Sequence, residues 1–144
     1  MPFDDPAAEE RSLEAREGDL IAREAALARC PDAAGQRLLA EEWDALADAR
    51  DRLADAWDKG ATIRDDDSWD RDIAALERDR QAGDGPPTAV DRIWANRDRD
   101  ASHDDRMEAR NDRRRSAISR AAAARDRARA RAARESSAER ERPA

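Results

Sequence analysis

An aspartate recurs every seven residues in two registers, and this spacing constrains the fold more than any other feature of the chain. Asp44, Asp51, Asp58, Asp65, Asp72 and Asp79 make one series. Asp91, Asp98, Asp105, Asp112 and Asp126 make the other, with Ser119 in the remaining place. Every member of the second series, Ser119 included, is followed by arginine: Arg92, Arg99, Arg106, Arg113, Arg120 and Arg127. Seven residues are close to two turns of α-helix, so each series forms a near-straight stripe along one helix face. Long charged helices are the expected architecture.

Composition limits how much of such a chain can form a core. Its 144 residues suffice for one domain, yet 44% are charged and the mean hydropathy is -1.11, far from ordinary globular usage. Twenty large apolar residues follow Met1, and eighteen of them precede residue 95, leaving only Met107 and Ile118 beyond it. A core is therefore expected in the first two thirds, with a solvated or partner-dependent helix after it. Charge follows the same division. Residues 1–105 hold 29 acids and 15 bases, a net of -14, and residues 106–144 hold 13 arginines and 6 acids, a net of +7. Together these give the overall -7: an acidic body with a basic arm.

Local signals divide the chain. Asp5-Pro6-Ala7-Ala8-Glu9 reads as a helix N-cap with proline at N1. Cys30-Pro31-Asp32 should end that first helix, since proline disfavours helical geometry in the residue before it. A second helix is expected from about 33 to 59, with Gly60 as its C′ residue, and a shorter one from about 67 to 81 carrying Trp69, Ile73 and Leu76 on one face. Gly83-Asp84-Gly85-Pro86-Pro87 is the clearest break. Thr88-Ala89-Val90-Asp91 resembles a capping box with Asp for Glu and should open a helix reaching about residue 134, with Val90, Ile93 and Trp94 docking its first turns. The expected organisation is a helical bundle or coiled-coil region at 1–82, a linker at 83–87, a long charged helix at 88–134 and a frayed tail at 135–144.

Two sets of residues are candidates for interaction. Leu13, Leu20 and Leu27 are seven apart, and Trp43, Leu46, Leu53 and Trp57 follow the 3-4 spacing of a coiled-coil seam, with Arg50 at one core-type position. Arg106, Arg110, Arg113, Arg120, Arg127, Arg131 and Arg134 step by three, four or seven along the basic arm. Such density suits phosphate binding. However, no aromatic is interleaved for base stacking, and only Asn111 is nearby to read base edges. Pairing with an acidic helix, the chain's own or another copy's, is the competing use. The charge runs also allow pairs within one helix, such as Asp19–Arg23, Asp48–Arg52 and Asp67–Arg71, each contributing a few tenths of a kcal/mol.

Enzymatic chemistry has little to work with. The chain has one His, one Cys and no Tyr, so the usual acid-base and nucleophile sets are nearly absent. No phosphate-cradling or nucleophile-elbow motif occurs. His103 lies among Asp100, Asp104 and Asp105 and reads as an exposed side chain, and Cys30 as a residue of a helix end. Asp66 to Glu77 has the acid spacing of an EF-hand calcium loop, but Arg71 stands where the turn needs glycine. Neither a metal nor a cofactor is expected. No apolar run is long enough for a membrane span, the acidic N-terminus has no secretory h-region, and the arm has no bulky apolar face for a membrane surface. The cytoplasm is the expected location.

The Asp51-Arg-Leu-Ala-Asp-Ala56 unit and the Arg97-Asp98-Arg99-Asp100-Ala101 segment resemble Arg/Asp/Ala-rich heptad-repeat helical proteins of high-GC Gram-positive bacteria. The likeness covers about residues 44–80 and 91–130. Such segments occur as small helical proteins or ahead of signalling domains such as cyclic-dinucleotide synthases. The resemblance implies a signalling role only through a partner. The expectation is thus an all-α chain: a short helical hairpin or bundle, followed by a long projecting Arg-rich helix with coiled-coil heptads. Its expected function is a non-enzymatic coiled-coil interaction or scaffold protein that self-associates or binds an acidic helical partner. The alternative is a small nucleic-acid-associated protein that clamps phosphates nonspecifically through residues 106–134.

Overall fold

The computed structural model describes residues 5–81 and 88–142, which form three α-helices: α1 Pro6–Arg29, α2 Ala33–Gln81 and α3 Ala89–Arg140. The chain is all-α, as its heptads require. No described helix is long and apolar enough to cross a membrane. The Gly/Pro linker at 83–87 lies outside the described residues.

The helix starts follow the local chemistry. The Asp5 side chain accepts from the Ala7 N–H at 2.9 Å, with Pro6 at the first helical position. Asp32 caps α2 by accepting from Ala34 N at 3.2 Å and Gly35 N at 2.8 Å. At α3, Asp91 N donates to Thr88 Oγ1 at 3.2 Å while Thr88 N donates to Asp91 Oδ2 at 3.0 Å, so Asp completes the expected capping box. Each cap satisfies N–H groups that have no partner within the helix.

Gly60 does not end a helix. α2 runs through it to Gln81, merging the two helices expected at 33–59 and 67–81. The glycine instead provides clearance: a Cβ at Gly60 would lie 3.3 Å from Asp112 Oδ2 and 3.4 Å from Arg64 Nη1. Likewise α3 continues past 134 to Arg140. Ser137 anchors this last stretch by donating from Oγ to the Ala33 carbonyl at 3.1 Å.

The chain divides into two compact units. Unit 1 comprises 1–56 and 116–144, and unit 2 comprises 57–115. Unit 1 therefore holds α1, the first part of α2 and the last part of α3. Leu13, Leu20, Leu39, Trp43, Leu46 and Leu53 are buried there, and each large apolar side chain contributes about 1.5–3 kcal/mol on burial. The long helix does not project from a bundle in this unit. Its residues Ala122, Ala123, Ala130 and Ala133 are buried, so alanines supply the face that the scarcity of large apolar residues conceals.

Unit 2 is a hairpin of the second part of α2 and the first part of α3. Ala61, Ser68 and Ala75 are buried on one helix and Ser102 and Ala109 on the other. Ser68 Oγ lies 2.8 Å from Ser102 Oγ, and each hydroxyl also lies within donating distance of the other residue's carbonyl, at 3.3 and 3.4 Å. A two-atom side chain reaches a carbonyl on the facing helix only when the backbones approach closely, which small residues permit. Val90, Ile93 and Trp94 do not dock the first turns of α3. They are exposed, as are Trp69, Ile73 and Leu76.

Candidate functional site: two charge ladders in a helical hairpin

The small residues recur every seven positions, like the charges. Ala40, Ala47 and Ala54 in unit 1, and Ala61, Ser68 and Ala75 in unit 2, form one row of α2. Ser102 and Ala109 in unit 2, and Ser116, Ala123, Ala130 and Ser137 in unit 1, form the matching row of α3. Two ladders of ion pairs flank these rows, because in a heptad the positions three and four beyond a core residue lie on either side of the contact line.

The first ladder joins the Asp series of α2 to the arginines of α3. In unit 1, Asp44 pairs with Arg134, Asp48 and Asp51 with Arg127, and Asp55 with Arg120 at 3.0 Å. In unit 2, Asp65 pairs with Arg113, Asp72 with Arg106 at 3.0 Å, and Asp79 with Arg99 at 3.9 Å. Positions rise by seven on one helix as they fall by seven on the other, so within each unit α2 and α3 are antiparallel. These side chains are largely solvated, and such pairs contribute about 0.2–1 kcal/mol each.

The second ladder has the opposite polarity. Arg50, Arg64, Arg71 and Arg78 belong to a seven-residue series on α2 that begins at Trp43 and includes Trp57. Their partners are the Asp series of α3. Arg50 binds Asp126 at 2.6 Å in unit 1, and Arg64, Arg71 and Arg78 pair with Asp112, Asp105 and Asp98 in unit 2. Arg50 also holds Glu17 of α1 at 2.5 Å, so one buried guanidinium bridges three helices. Removing one member of such a buried group strands a charge and costs about 3–5 kcal/mol. Burial pushes the Asp126 carboxyl above its ordinary pKa, against the pull of Arg50, and it does the same to Asp112 against Arg64. At the start of α3 the hydrogen bonds from Thr88 hold Asp91 below the ordinary range.

The tryptophans take arginine caps. Arg129 stacks over Trp43 at 4.7 Å in unit 1, and Arg115 over Trp57 at 4.6 Å in unit 2. Both indole Nε1 atoms are buried without a hydrogen-bond partner among the described residues, so the cationic cap is the main polar contribution to these rings.

Of the candidate seam, Leu13, Leu20, Trp43, Leu46, Leu53 and Trp57 are buried against the chain's own helices, and Leu27 is half-buried. The basic arm is largely occupied: Arg106, Arg113, Arg120, Arg127 and Arg134 all pair with aspartates of α2. Arg110 and Arg131 have no ion pair among the described residues and are exposed. Pairs expected within one helix give way to pairs between helices. Arg23 pairs with Glu42 of α2, Asp48 with Arg127 and Arg71 with Asp105. Asp66 to Glu77 is continuous helix, so the loop that an EF-hand requires does not form. Among the described residues no three His, Cys, Asp or Glu side chains are grouped to hold a metal, and Cys30 is a free, exposed thiol.

The two ladders make the helices complementary to each other and not to themselves. Two copies of α2 paired in the same way would set arginine against arginine in one ladder and aspartate against aspartate in the other, which is unfavourable. The chain is all-α, and within each unit α2 and α3 form an antiparallel, charge-zippered helix pair, to which unit 1 adds α1. Comparison of the chain with protein-family models, curated proteins and solved structures finds no match.

Proposed function

We propose that the chain is a non-enzymatic coiled-coil interaction or scaffold protein, which self-associates or binds an acidic helical partner through unit 2. One observation supports this reading. Among the described residues, eleven large apolar side chains are exposed, and eight of them lie in unit 2: Ile63, Trp69, Ile73, Leu76, Val90, Ile93, Trp94 and Met107. Trp69, Ile73 and Leu76 share one face of α2, with Trp69 67% exposed. Unit 1 buries six of its large apolar residues, with α1 contributing Leu13 and Leu20, and leaves Ile21, Leu38 and Ile118 exposed, whereas unit 2 has no third helix among the described residues. An exposed apolar stripe on a two-helix hairpin is the surface a helical partner buries. Light scattering from about 1 to 100 µM tests the self-associating form. Mass should rise with concentration, and Trp69→Ser with Leu76→Ser should abolish the rise. A strict monomer throughout rejects self-association and leaves the acidic helix.

The alternative, a nonspecific phosphate clamp, is supported by exposed arginines of α3 that have no ion pair among the described residues: Arg110, Arg114, Arg125 and Arg131. The five paired members of the arm would have to leave their aspartates to contribute. With about four phosphate contacts, affinity for random duplex DNA should fall only about 100-fold between 50 and 200 mM salt. Anisotropy that shows no binding at 50 mM rejects this alternative.

A further inference from the structure

Unit 2 leaves an apolar row of α2 uncovered, and the chain itself carries a row that fits it, an inference that rests on the proposed role of unit 2. Asp66, Trp69, Ile73, Leu76 and Arg80 follow the 3-4 spacing of a helical seam, and all five are exposed. Three heptads earlier, in unit 1, the places of Trp69, Ile73 and Leu76 are held by Asp48, Arg52 and Asp55. One stripe of a single helix is thus charged in unit 1 and apolar in unit 2. Trp69 also lacks what the other tryptophans have. Arginines lie over Trp43, Trp57 and Trp94, whereas none lies over Trp69 among the described residues.

The acids beside this row are without cations. Among the described residues neither Asp66 nor Asp70 has an ion pair. No Arg or Lys stands three or four residues from either of them on α2. They are themselves four apart, so the two carboxylates repel each other. In a chain whose two ladders pair most charges across helices, this pair is an exception.

Unit 1 holds the opposite exception on α3. Ala117, Ala121, Ala124, Ala128 and Arg131 are exposed at the same 3-4 spacing. Arg125 and Arg131 are exposed and have no ion pair among the described residues. Arg125 has no acid three or four residues away on its own helix. This outer alanine row resembles the inner one, where Ala123 and Ala130 are buried in the contact with α2.

We propose that the Trp69 row of unit 2 docks antiparallel onto the outer alanine row of α3 in a second copy of the chain. In this register Asp66 stands opposite Arg131, and Trp69, Ile73 and Leu76 stand opposite Ala128, Ala124 and Ala121. Asp70, next to Trp69, comes beside Arg125, next to Ala124. Large side chains meet small ones, and each unpaired acid meets an unpaired arginine. Arg131 or Arg125 can also give Trp69 the cationic cap that its ring lacks. Arg80, the cation of the α2 row, has Glu77 three residues before it and opposes only Ala117. Charge selects this occupant because both sets of groups are free of partners within the copy that carries them.

One helix-on-helix contact is small, so weak association is expected, and light scattering from about 1 to 100 µM covers that range. The mass of the full chain should rise with concentration. Asp66→Arg with Asp70→Arg should weaken the association about tenfold or more, and so should Arg125→Glu with Arg131→Glu, because like charges then meet. Mixing the two variants should restore it, since each reversed row finds the reversed row of the other copy. Local misfolding could not be rescued in this way, and circular dichroism of each variant checks helicity directly. Failure of the mixture to associate overturns the assignment. If the mass rises and depends on Trp69 and Leu76 but ignores both charge variants, this register is rejected while self-association through unit 2 stands. A strict monomer rejects the docking and self-association together and leaves the acidic helix. If Arg125→Glu with Arg131→Glu keeps its mass but loses random duplex DNA, these arginines are a phosphate clamp and the assignment is overturned.

Discussion

Units 1 and 2 contain the same ladder, once covered and once open. In unit 1 the α2 arginine is Arg50, 7% exposed, against Asp126 at 1%. In unit 2 the corresponding pairs become steadily more open: Arg64 and Asp112 at 34% and 5%, Arg71 and Asp105 at 42% and 21%, Arg78 and Asp98 at 46% and 23%. The other ladder does not change in this way. Asp44 and Arg134 in unit 1, at 37% and 50%, match Asp72 and Arg106 in unit 2, at 37% and 50%. The ladder is not uniform, since Trp43 and Trp57 take two of its α2 places and Ser119 one on α3, but where arginine meets aspartate the covered pair is the one that α1 reaches through Glu17. A single ion-pair motif can therefore lock a core or present a surface, and the cover decides which. Low dielectric magnifies the covered pair and water screens the open one.

The sharpest way to break the comparison is to remove its two arginines in turn. Arg50→Ala should destabilise by about 3–5 kcal/mol because Asp126 is left buried and unpaired, whereas Arg71→Ala should cost under about 1 kcal/mol. Urea unfolding followed by circular dichroism reads both, and equal losses would reject the distinction between units. Leucines give the next largest contrast. Leu46→Ala should cost about 2–5 kcal/mol, and the half-exposed Leu76→Ala under about 0.5 kcal/mol. The small-residue rows predict a smaller effect of the opposite kind. Ala123→Leu overpacks a fully buried position and should cost about 1–3 kcal/mol, while Ala117→Leu, exposed on the same helix, should be nearly neutral in thermal melts.

The smallest expected effects concern pH. Asp126 has a folded pKa raised by burial, so the folded chain holds that proton more tightly than the unfolded one. Its contribution to stability is present in full below the ordinary carboxylate pKa and is lost as pH rises through the folded value. Asp126→Asn should therefore remove a component of stability that grows as pH falls toward the ordinary value of 3.8. Asp91 runs the other way. Its pKa is lowered by Thr88, so its contribution is present above the ordinary value and lost as pH falls through the folded one. Denaturation midpoints of Asp126→Asn and Asp91→Asn across the acid range should shift in opposite senses relative to the wild-type chain.

Much of the candidate site is legible as rows. The Asp series, the arginines that follow each step of the second series and the caps at Asp5 and Thr88 can all be read along the chain, whereas Cys30-Pro31-Asp32 reads only as a helix end and the cap that Asp32 gives α2 appears in the structure. The alanine and serine rows have the same seven-residue spacing, but large apolar residues are the usual sign of a core and draw attention away from them. Ala40, Ala47 and Ala54 show why that sign fails here: close helix approach buries small residues well. Pairing partners are not legible. Arg71 has Asp67 one turn away on its own helix and Asp105 on α3, and exposed ion pairs of either kind differ by only tenths of a kcal/mol. Gly60 misleads for a related reason. Its local tendency to end a helix is about 1 kcal/mol, less than the packing that continues on both sides.

The sequence by itself determined the all-α character, the heptad spacing and the caps at Asp5 and Thr88, because these depend on contacts within a turn or two of chain, but not that α2 runs unbroken through Gly60. Only the tertiary structure decided which stripe faces which, that the basic arm is bound by the chain's own aspartates, and that α1 covers one unit and not the other. Those outcomes depend on distances between helices, and on where a third helix excludes water from a pair that is otherwise the same.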